Sequence, residues 1–208
     1  MYVRVTSTQA DPARIDDGIA YIRDEILPKT NLMKGSLGSV VSVDRSSGRS
    51  SLMSCWTDRE SLDATHQAVV GMRSAAARRL DGSDTTVETF EIALIHLAKP
   101  AEPGSCTSTT RTEMPPDDVH RALQSFKDTV VPFLEKYDRI CAVIVMVNRQ
   151  AGVLQTSITV ENREALEASR GRTQEMRDLI TAAIPSLKIV EVFEMEVVIS
   201  DLRPSSYA

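Results

Sequence analysis

The apolar residues of the first hundred positions follow two different periods. A helical period comes first, since spacings of four, three and four residues put four isoleucines on one helix face. These are Ile15, Ile19, Ile22 and Ile26. Pro28 follows late in this helix and is expected to kink or end it, as is Pro132 further along the chain. A second helix is predicted from Thr57 or Asp58 to about Leu80, with Thr57 and Glu60 spaced as a capping box.

Runs rich in valine, serine and threonine flank both helices and are typical of strands. The predicted strands are Tyr2 to Thr8, Leu37 to Asp44, Ser50 to Trp56 and Thr86 to Leu97. A glycine in the short loop between the second and third strands indicates a hairpin. The resulting order, β-α-β-β-α-β, is that of a ferredoxin-like fold.

The chain repeats this pattern at an offset of 104, half its length of 208 residues. Without any gap, fifteen positions between Thr6 and Arg73 are identical to the residues 104 positions later, whereas average composition gives roughly five by chance over this span. Examples are Pro28/Pro132, Gly48/Gly152 and Arg73/Arg177. We therefore predict a tandem duplication of a domain-sized unit. Its parts are a first unit over 1–98, a linker over 99–104, a second unit over 105–200 and a C-terminal tail over 201–208.

One strand of the second unit indicates how the sheets are covered. Val143 to Val147 are apolar at every position, whereas a strand with one solvated face alternates. The two helices of a unit cover one face of its sheet, and the sheet of the sister unit is the natural cover for the other. The predicted fold class is therefore α+β: two ferredoxin-like units whose antiparallel sheets pack face to face as an intrachain pseudo-dimeric α/β barrel.

The segment from Cys55 to His66, CWTDRESLDATH, carries a recognisable pattern. A tryptophan ends the third strand, an acidic-rich helix start follows, and a histidine comes about three turns into the helix. This resembles the antibiotic biosynthesis monooxygenase domain of the dimeric α/β-barrel superfamily, and the resemblance extends over both units. It implies the barrel fold. Its known members include cofactor-free oxygenases of aromatic polyketides, haem-degrading enzymes and stress-response proteins, so the fold alone does not fix the chemistry.

Composition excludes several classes of function. The formal net charge is −5 and only 4% of residues are aromatic, so neither a basic surface nor a base-stacking platform for nucleic acid is indicated. The longest apolar run, Ile140 to Val147, is far below the roughly 20 residues of a membrane span. The amino terminus lacks the basic and apolar regions of a signal peptide. A cytoplasmic protein without nucleic-acid or membrane partners is expected.

Candidate chemistry lies on the second helix of each unit, where polar residues interrupt an apolar stripe. At 100° per residue, six positions of each helix fall within about 40° of one line. They are Leu62, His66, Val69, Arg73, Ala76 and Leu80 in the first unit, and Leu166, Arg170, Thr173, Arg177, Ile180 and Ile184 in the second. Polar groups on an inward face need partners or a wet pocket.

Two interpretations of this stripe are open. In the functional one, a cavity lies between helix and sheet, His66 donates or accepts a proton as the catalytic group, and Arg73 holds an anionic substrate. In the structural one, His66 is a satisfied boundary residue and the repeated arginines pair with glutamates of the last strands. Those pairs would join Arg73 to Glu88 or Glu91, and Arg177 to Glu191 or Glu194.

Two further residues are candidate substrate contacts, and they also test the resemblance. Trp56 is the only tryptophan and has Val160 at the equivalent position of the second unit. Thr6 stands on the first strand where, by resemblance, haem-degrading members have an asparagine. The tryptophan and histidine positions of that branch fall on His66 and on Arg73 or Ser74. Because all three positions differ from the residues of the haem-degrading members, haem degradation is not expected. The missing asparagine also weighs against the chemistry of the cofactor-free oxygenases.

The remaining candidates predict no cofactor and no metal site. Cys55, Cys106 and Cys141 are widely spaced and lack a CxxC pair, so we expect reduced, buried thiols. The sequence leaves three kinds of function. The first is a cofactor-independent, monooxygenase-like enzyme acting on a small aromatic or quinone-like molecule in the first unit. The second is a non-catalytic, small-ligand-binding or stress-responsive barrel. The third is an interaction module, in which the pseudo-dimer forms further homodimers.

Overall fold

The strands and helices occur in the predicted order. The computed structural model describes residues 1–130, 132 and 137–203. The strands are β1 Tyr2–Gln9, β2 Ser36–Asp44, β3 Arg49–Trp56, β4 Ser83–Leu97, β5 Cys106–Glu113, β6 Ile140–Asn148, β7 Val153–Val160 and β8 Lys188–Leu202. The α-helices are α1 Ile15–Tyr21, α2 Leu27–Thr30, α3 Arg59–Ala64, α4 His66–Arg79, α5 Val119–Ser125 and α6 Arg163–Ala183.

The first helix of each unit contains a π-helical segment, Ile22–Ile26 in the first unit and Phe126–Val130 in the second. In the first unit the amide of Leu27 bonds the carbonyl of Ile22, five residues back. This wider turn stands directly before Pro28, which lacks an amide hydrogen. The proline therefore leaves a short α2 in place rather than ending the helix. The corresponding positions beyond Val130 lie mostly outside the described residues.

The described chain forms two compact units whose boundaries cut through the two longest strands. One unit comprises Met1–Glu91 and Glu196–Ala208, and the other Ile92–Met195. The boundary at Glu91 falls within β4 and the boundary at Met195 within β8. The predicted repeat limits, which stop at 98 and 200, describe the duplicated sequence and stay a prediction.

The sheet of the first unit is antiparallel and runs in the order β4-β1-β3-β2-β8. Its outer strands are the first part of β4, which pairs Glu91 with Tyr2, and the last part of β8, which pairs Leu202 with Gly38. Helix α1 packs on α4 closely enough that a Cβ on Gly18 would lie 2.1 Å from the Leu80 side chain. Both helices therefore lie against each other over this sheet.

The second unit has the sheet order β8-β5-β7-β6-β4 and a continuous core. Every residue of β6 from Ile140 to Val147 is buried, as the uninterrupted apolar run predicted. Twenty buried side chains of this unit form one hydrophobic cluster, which includes Phe126, Leu154 and Ile180. The strands of the whole chain hydrogen-bond in the order β1-β3-β2-β8-β5-β7-β6-β4 as a closed antiparallel barrel. This confirms the predicted α+β, intrachain pseudo-dimeric α/β-barrel fold.

The β2–β3 hairpin is held by the carboxylate of Asp44. This carboxylate accepts hydrogen bonds from the Ser46 amide at 2.9 Å, the Ser46 hydroxyl at 2.6 Å and the Ser47 hydroxyl at 2.6 Å. These donors, the serine hydroxyls foremost, lower the pKa of Asp44 to about 2. In the second unit the equivalent residue, Asn148, accepts from the Ala151 amide.

Replacing Asp44 by asparagine, the residue of the second hairpin, is expected to destabilise the protein slightly at neutral pH. Because the pKa of Asp44 is depressed on folding, its contribution is present above the unfolded value of about 4 and is lost as pH falls towards 2. The stability difference between D44N and wild type, measured by urea unfolding, should shrink over that range. A difference that stays constant with pH would contradict this assignment.

Candidate functional site

The stripe predicted on the second helix is partly right. Leu62, Val69, Ala76 and Leu80 are buried, and Arg73 is half-buried. His66 is exposed as the first residue of α4, so the prediction that it faces the sheet is wrong. Arg170, its counterpart in the second unit, is exposed as well.

The reason is confined to one turn of each helix, where the residue before the predicted position is the buried one. Thr65 and Ser169 are buried beside the positions of His66 and Arg170. Each hydroxyl donates to a carbonyl of the preceding turn at 2.8 Å, Thr65 to Leu62 and Ser169 to Leu166. A hydroxyl satisfied by its own helix is buried at little cost, so it escapes a search for apolar residues. In the first unit Thr65 also ends α3, and α4 begins after it.

A cavity of about 50 Å³ lies in the first unit between its helices and its sheet. Its wall combines aliphatic side chains of the helices with hydroxyl and guanidinium groups. The residues that line it are Arg4, Thr6, Thr8, Ile22, Ile26, Thr30, Ser39, Ser50, Leu52, Ser54, Trp56, Val69, Met72, Arg73, Ala76, Ala77 and Leu80. One water needs about 10–15 Å³, whereas pockets for drug-sized ligands begin near 300 Å³. The cavity therefore fits a compact group of a few atoms.

Arg4 is a cavity residue that the sequence analysis missed. Its side chain is 3% exposed although it stands on β1 between two valines. Its Nη2 donates to the Leu62 carbonyl at 2.7 Å and its Nη1 to the Thr65 hydroxyl at 3.3 Å. Its guanidinium also lies 5.9 Å from the centre of the Trp56 ring, within cation–π range. The turn between α3 and α4 thus holds this charge at the cavity wall.

Arg73 brings a second positive charge to the same wall. Its Nη1 is buried and has no hydrogen-bond partner among the described residues. Burial lowers the pKa of Arg73. The pKa of Arg4 is also lowered, first by burial and then by the positive charge of Arg73. None of the described residues that line the cavity is acidic, so an anion there would meet two guanidinium groups and no competing carboxylate.

The second unit has different residues at positions equivalent to the cavity lining. At the offset of 104, small or polar lining residues are replaced by larger apolar ones. The pairs are Ser39/Val143, Ser50/Leu154, Ser54/Ile158 and Ala76/Ile180. All four larger residues belong to the hydrophobic cluster of that unit. Arg4 is replaced by Ser108, which leaves Arg177 as the repeated arginine.

Arg177 is satisfied by neutral groups of its own unit. Its Nε and Nη2 donate to the Gln174 side chain at 3.2 and 3.1 Å, and its Nη1 to the Thr110 hydroxyl at 3.4 Å. Glu194, one of its predicted partners, bonds Arg170 instead, at 3.0 and 2.8 Å. The expected Arg177–Glu194 pair is therefore replaced by a surface pair between Glu194 and Arg170, two turns earlier on α6.

The structure brings three of the four predicted site residues together. Trp56 is 1% exposed, lines the cavity and donates from Nε1 to the Ser54 hydroxyl at 3.2 Å. Thr6 and Arg73 line the same cavity, and His66 does not. Comparing the halves for small against large residues would have found the missed serines. The same comparison would have marked Arg4, because the equivalent position of the second half is Ser108.

The other predicted features give plain findings. The three cysteines are buried thiols outside any disulfide of the described residues, as expected, and burial raises the pKa of Cys141. Among the described residues, no group of three histidine, cysteine or acidic side chains lies close enough to hold a metal ion. No helix in the described ranges is long and apolar enough to cross a membrane.

The barrel, with its ferredoxin-like units, defines the class of protein. This fold is that of solved proteins related to antibiotic biosynthesis monooxygenases, as the resemblance implied. The fold matches an anthrone oxidase-like protein with a TM-score of 0.70 and 14% identity, over 96% of this chain and 92% of that one. It also matches a monooxygenase-like protein of Listeria innocua with a TM-score of 0.56 and 7% identity, over 95% and 94%. At such identities the likeness shows the fold alone.

Sequence comparison gives the family. The chain is 32% identical to the uncharacterised protein Rv2558 of Mycobacterium tuberculosis over 204 residues, covering 98% of this chain and 86% of that relative. It is also 32% identical to the uncharacterised protein Rv2557 of the same organism, over 177 residues, 85% of this chain and 79% of that one. The chain belongs to the family of these mycobacterial proteins. No model of a described protein family matches it.

Proposed function

We propose that this protein binds a small molecule with an anionic group in the cavity of its first unit. The observation that carries the proposal is the pair of arginines, Arg4 and Arg73, at a cavity wall whose described residues include no acidic one. The buried Nη1 of Arg73 supplies a hydrogen-bond donor that has no described partner. An unpaired buried donor is costly, and a bound anion would remove that cost.

The lining supports binding without a built-in acid or base. No histidine or carboxylate is among the described lining residues, and Trp56 with the aliphatic side chains supplies an apolar wall. The second unit would not share the function, because larger apolar residues stand at the equivalent positions and Arg177 already has partners. His66 takes no part in the proposed site because it is exposed and outside the lining.

Binding is expected to depend on Arg73 and not on its counterpart. Small carboxylates, phenolates and inorganic oxyanions, titrated calorimetrically at constant ionic strength, should include ligands that bind wild-type protein. R73Q should weaken them at least tenfold, since one charge-assisted hydrogen bond contributes about 1.5–3 kcal/mol. The control R177Q removes an equivalent arginine from the second unit and should change affinity less than twofold, as should H66A. Equal binding by wild type and R73Q, or no binding by any compound, would overturn the proposal.

The second candidate is cofactor-independent oxygenation of a small aromatic or quinone-like molecule, for which the fold is suited. Two guanidinium groups would favour the ionised form of a phenol, and that form gives an electron to O₂ more readily than the neutral phenol. The absence of a lining base means that such a substrate would enter already ionised. Its rings would also need the cavity to widen beyond about 50 Å³. Oxygen uptake recorded with each bound phenol separates the two candidates, because a binding protein consumes none.

A further inference from the structure

We propose that the cavity of the first unit selects a compact dianion, with Arg4 and Arg73 each bonding one of its anionic oxygens. This inference rests on the proposed function and specifies its ligand. A compact dianion here means an inorganic oxyanion such as sulfate or hydrogenphosphate, or a short dicarboxylate. The assignment rests on three properties of the described cavity: the fixed position of Arg4, its uncompensated charge and its size.

Arg4 is held in place before any ligand arrives. Two of its five N–H donors are used, one on the Leu62 carbonyl and one on the Thr65 hydroxyl. Both acceptors belong to the turn between α3 and α4, and the Trp56 ring lies beside the guanidinium. The remaining donors of a fixed, planar guanidinium suit an oxyanion, because little side-chain freedom is lost on binding.

The charge at the cavity wall calls for two negative charges rather than one. Arg4 and Arg73 are both cationic, and the described lining offers them no carboxylate. The negative charge of Asp63 raises the pKa of Arg4, but by less than burial and the positive charge of Arg73 lower it. A monoanion would leave one of two neighbouring positive charges uncompensated, whereas a dianion balances both.

The size and lining of the cavity favour a compact ligand with oxygens on several sides. A volume of about 50 Å³ holds a few non-hydrogen atoms, whereas a ring system would need the cavity to widen. Hydroxyl groups of Thr6, Ser39 and Ser54 line the cavity besides the two arginines. Hydroxyls donate to anionic oxygens and rotate to suit them. Tetrahedral oxyanions and short dicarboxylates present oxygens in this way.

Oxalate and oxamate test the charge requirement at constant shape, since oxamate replaces one carboxylate of oxalate by a neutral amide. Calorimetric titrations of the full chain at constant ionic strength should give at least a tenfold preference for oxalate. Sulfate, titrated in parallel, separates inorganic oxyanions from dicarboxylates as the ligand. R73Q and R4Q should each weaken the binding of the preferred dianion at least tenfold and abolish the preference over oxamate. R177Q should retain both.

Each outcome counts for or against a defined claim. Equal affinity for oxalate and oxamate, with binding still lost in R73Q, would overturn dianion selection and leave anion binding intact. If neither dianion binds and another anion of the wider panel does, the dianion proposal also fails. If no anion binds at all, the proposed function fails with it. R4Q loses two structural hydrogen bonds, so R4K, which keeps the charge, is the second variant. R4K should retain the preference for oxalate over oxamate. A folded R4K protein that loses this preference, or an R73Q protein that keeps it, would contradict a two-arginine site.

Discussion

Replacing Gly48 by alanine is expected to lower the stability of the protein by about 3 kcal/mol, with a fall in Tm of roughly 6–12 °C. Gly48 has a φ of +82°, and a Cβ at this position would lie 2.1 Å from the Ala10 carbonyl oxygen. The backbone cannot move away easily, because the Ala10 amide donates to the Gly48 carbonyl at 2.8 Å. Gly152 repeats this geometry, with a φ of +66° and the Met114 carbonyl oxygen at 1.9 Å, so G152A should behave alike.

The matched control is Gly171, which lies within α6 with nothing near the position of a Cβ. Alanine there should leave the protein unchanged or stabilise it by up to about 1 kcal/mol, since glycine is a poor helix former. Thermal and urea unfolding of the three variants gives the comparison. A G48A protein as stable as G171A would contradict the assignment of the hairpin glycine.

Exchanging the repeated arginines for methionine should change stability in opposite directions. R73M removes a guanidinium with an unpartnered, buried Nη1 from beside Arg4, and is expected to stabilise the ligand-free protein by about 1 kcal/mol. R177M breaks the bonds to Gln174 and Thr110 and is expected to destabilise it by about 2 kcal/mol. The two variants should therefore differ by about 3 kcal/mol in urea unfolding, although both lose one positive charge.

The same unfolding experiment at a high concentration of a bound anion should make wild type more stable than R73M. A ligand stabilises only the form that binds it, so wild type should gain in Tm and R73M should not. If R73M is less stable than wild type without ligand, Arg73 is a structural residue. The buried Nη1 of Arg73, which has no partner among the described residues, would then not mark an unoccupied anion site.

Periodicity was sufficient to predict the fold. The strands follow from alternating and continuous apolar runs, and the duplication follows from identities such as Gly48/Gly152, which the hairpin geometry requires twice. The buried run of β6 indicated a sheet covered on both faces, and it is buried throughout. These features depend on local conformation and on apolar burial, which single residues report directly.

The site was harder to predict because polar residues form it. The helix stripe placed His66 inward, since its angle differs little from that of Arg73, whereas Thr65 takes the buried place by bonding its own helix. Arg4 was missed because an arginine is usually solvated, whereas the face of β1 that carries it is turned to the helices. The difference between Arg4 and Ser108 marks the position in the sequence, and the contact with Leu62, 58 residues away, identifies its role.

Strands β4 and β8 each pass from one compact unit into the other, so the two units cannot be separated by cutting the linker alone. The last part of β8, from Glu196 to Leu202, supplies the outer strand beside β2 in the first unit, although β8 is the last strand of the second repeat in sequence. A fragment cut at the linker over 99–104 would therefore lack a strand of its own sheet, and two separate copies would have to exchange ends. Joining the copies makes that exchange intramolecular and independent of protein concentration. Because the two copies are covalently joined, the first unit can contain a destabilising polar cavity while the apolar core of the second unit stabilises the shared chain.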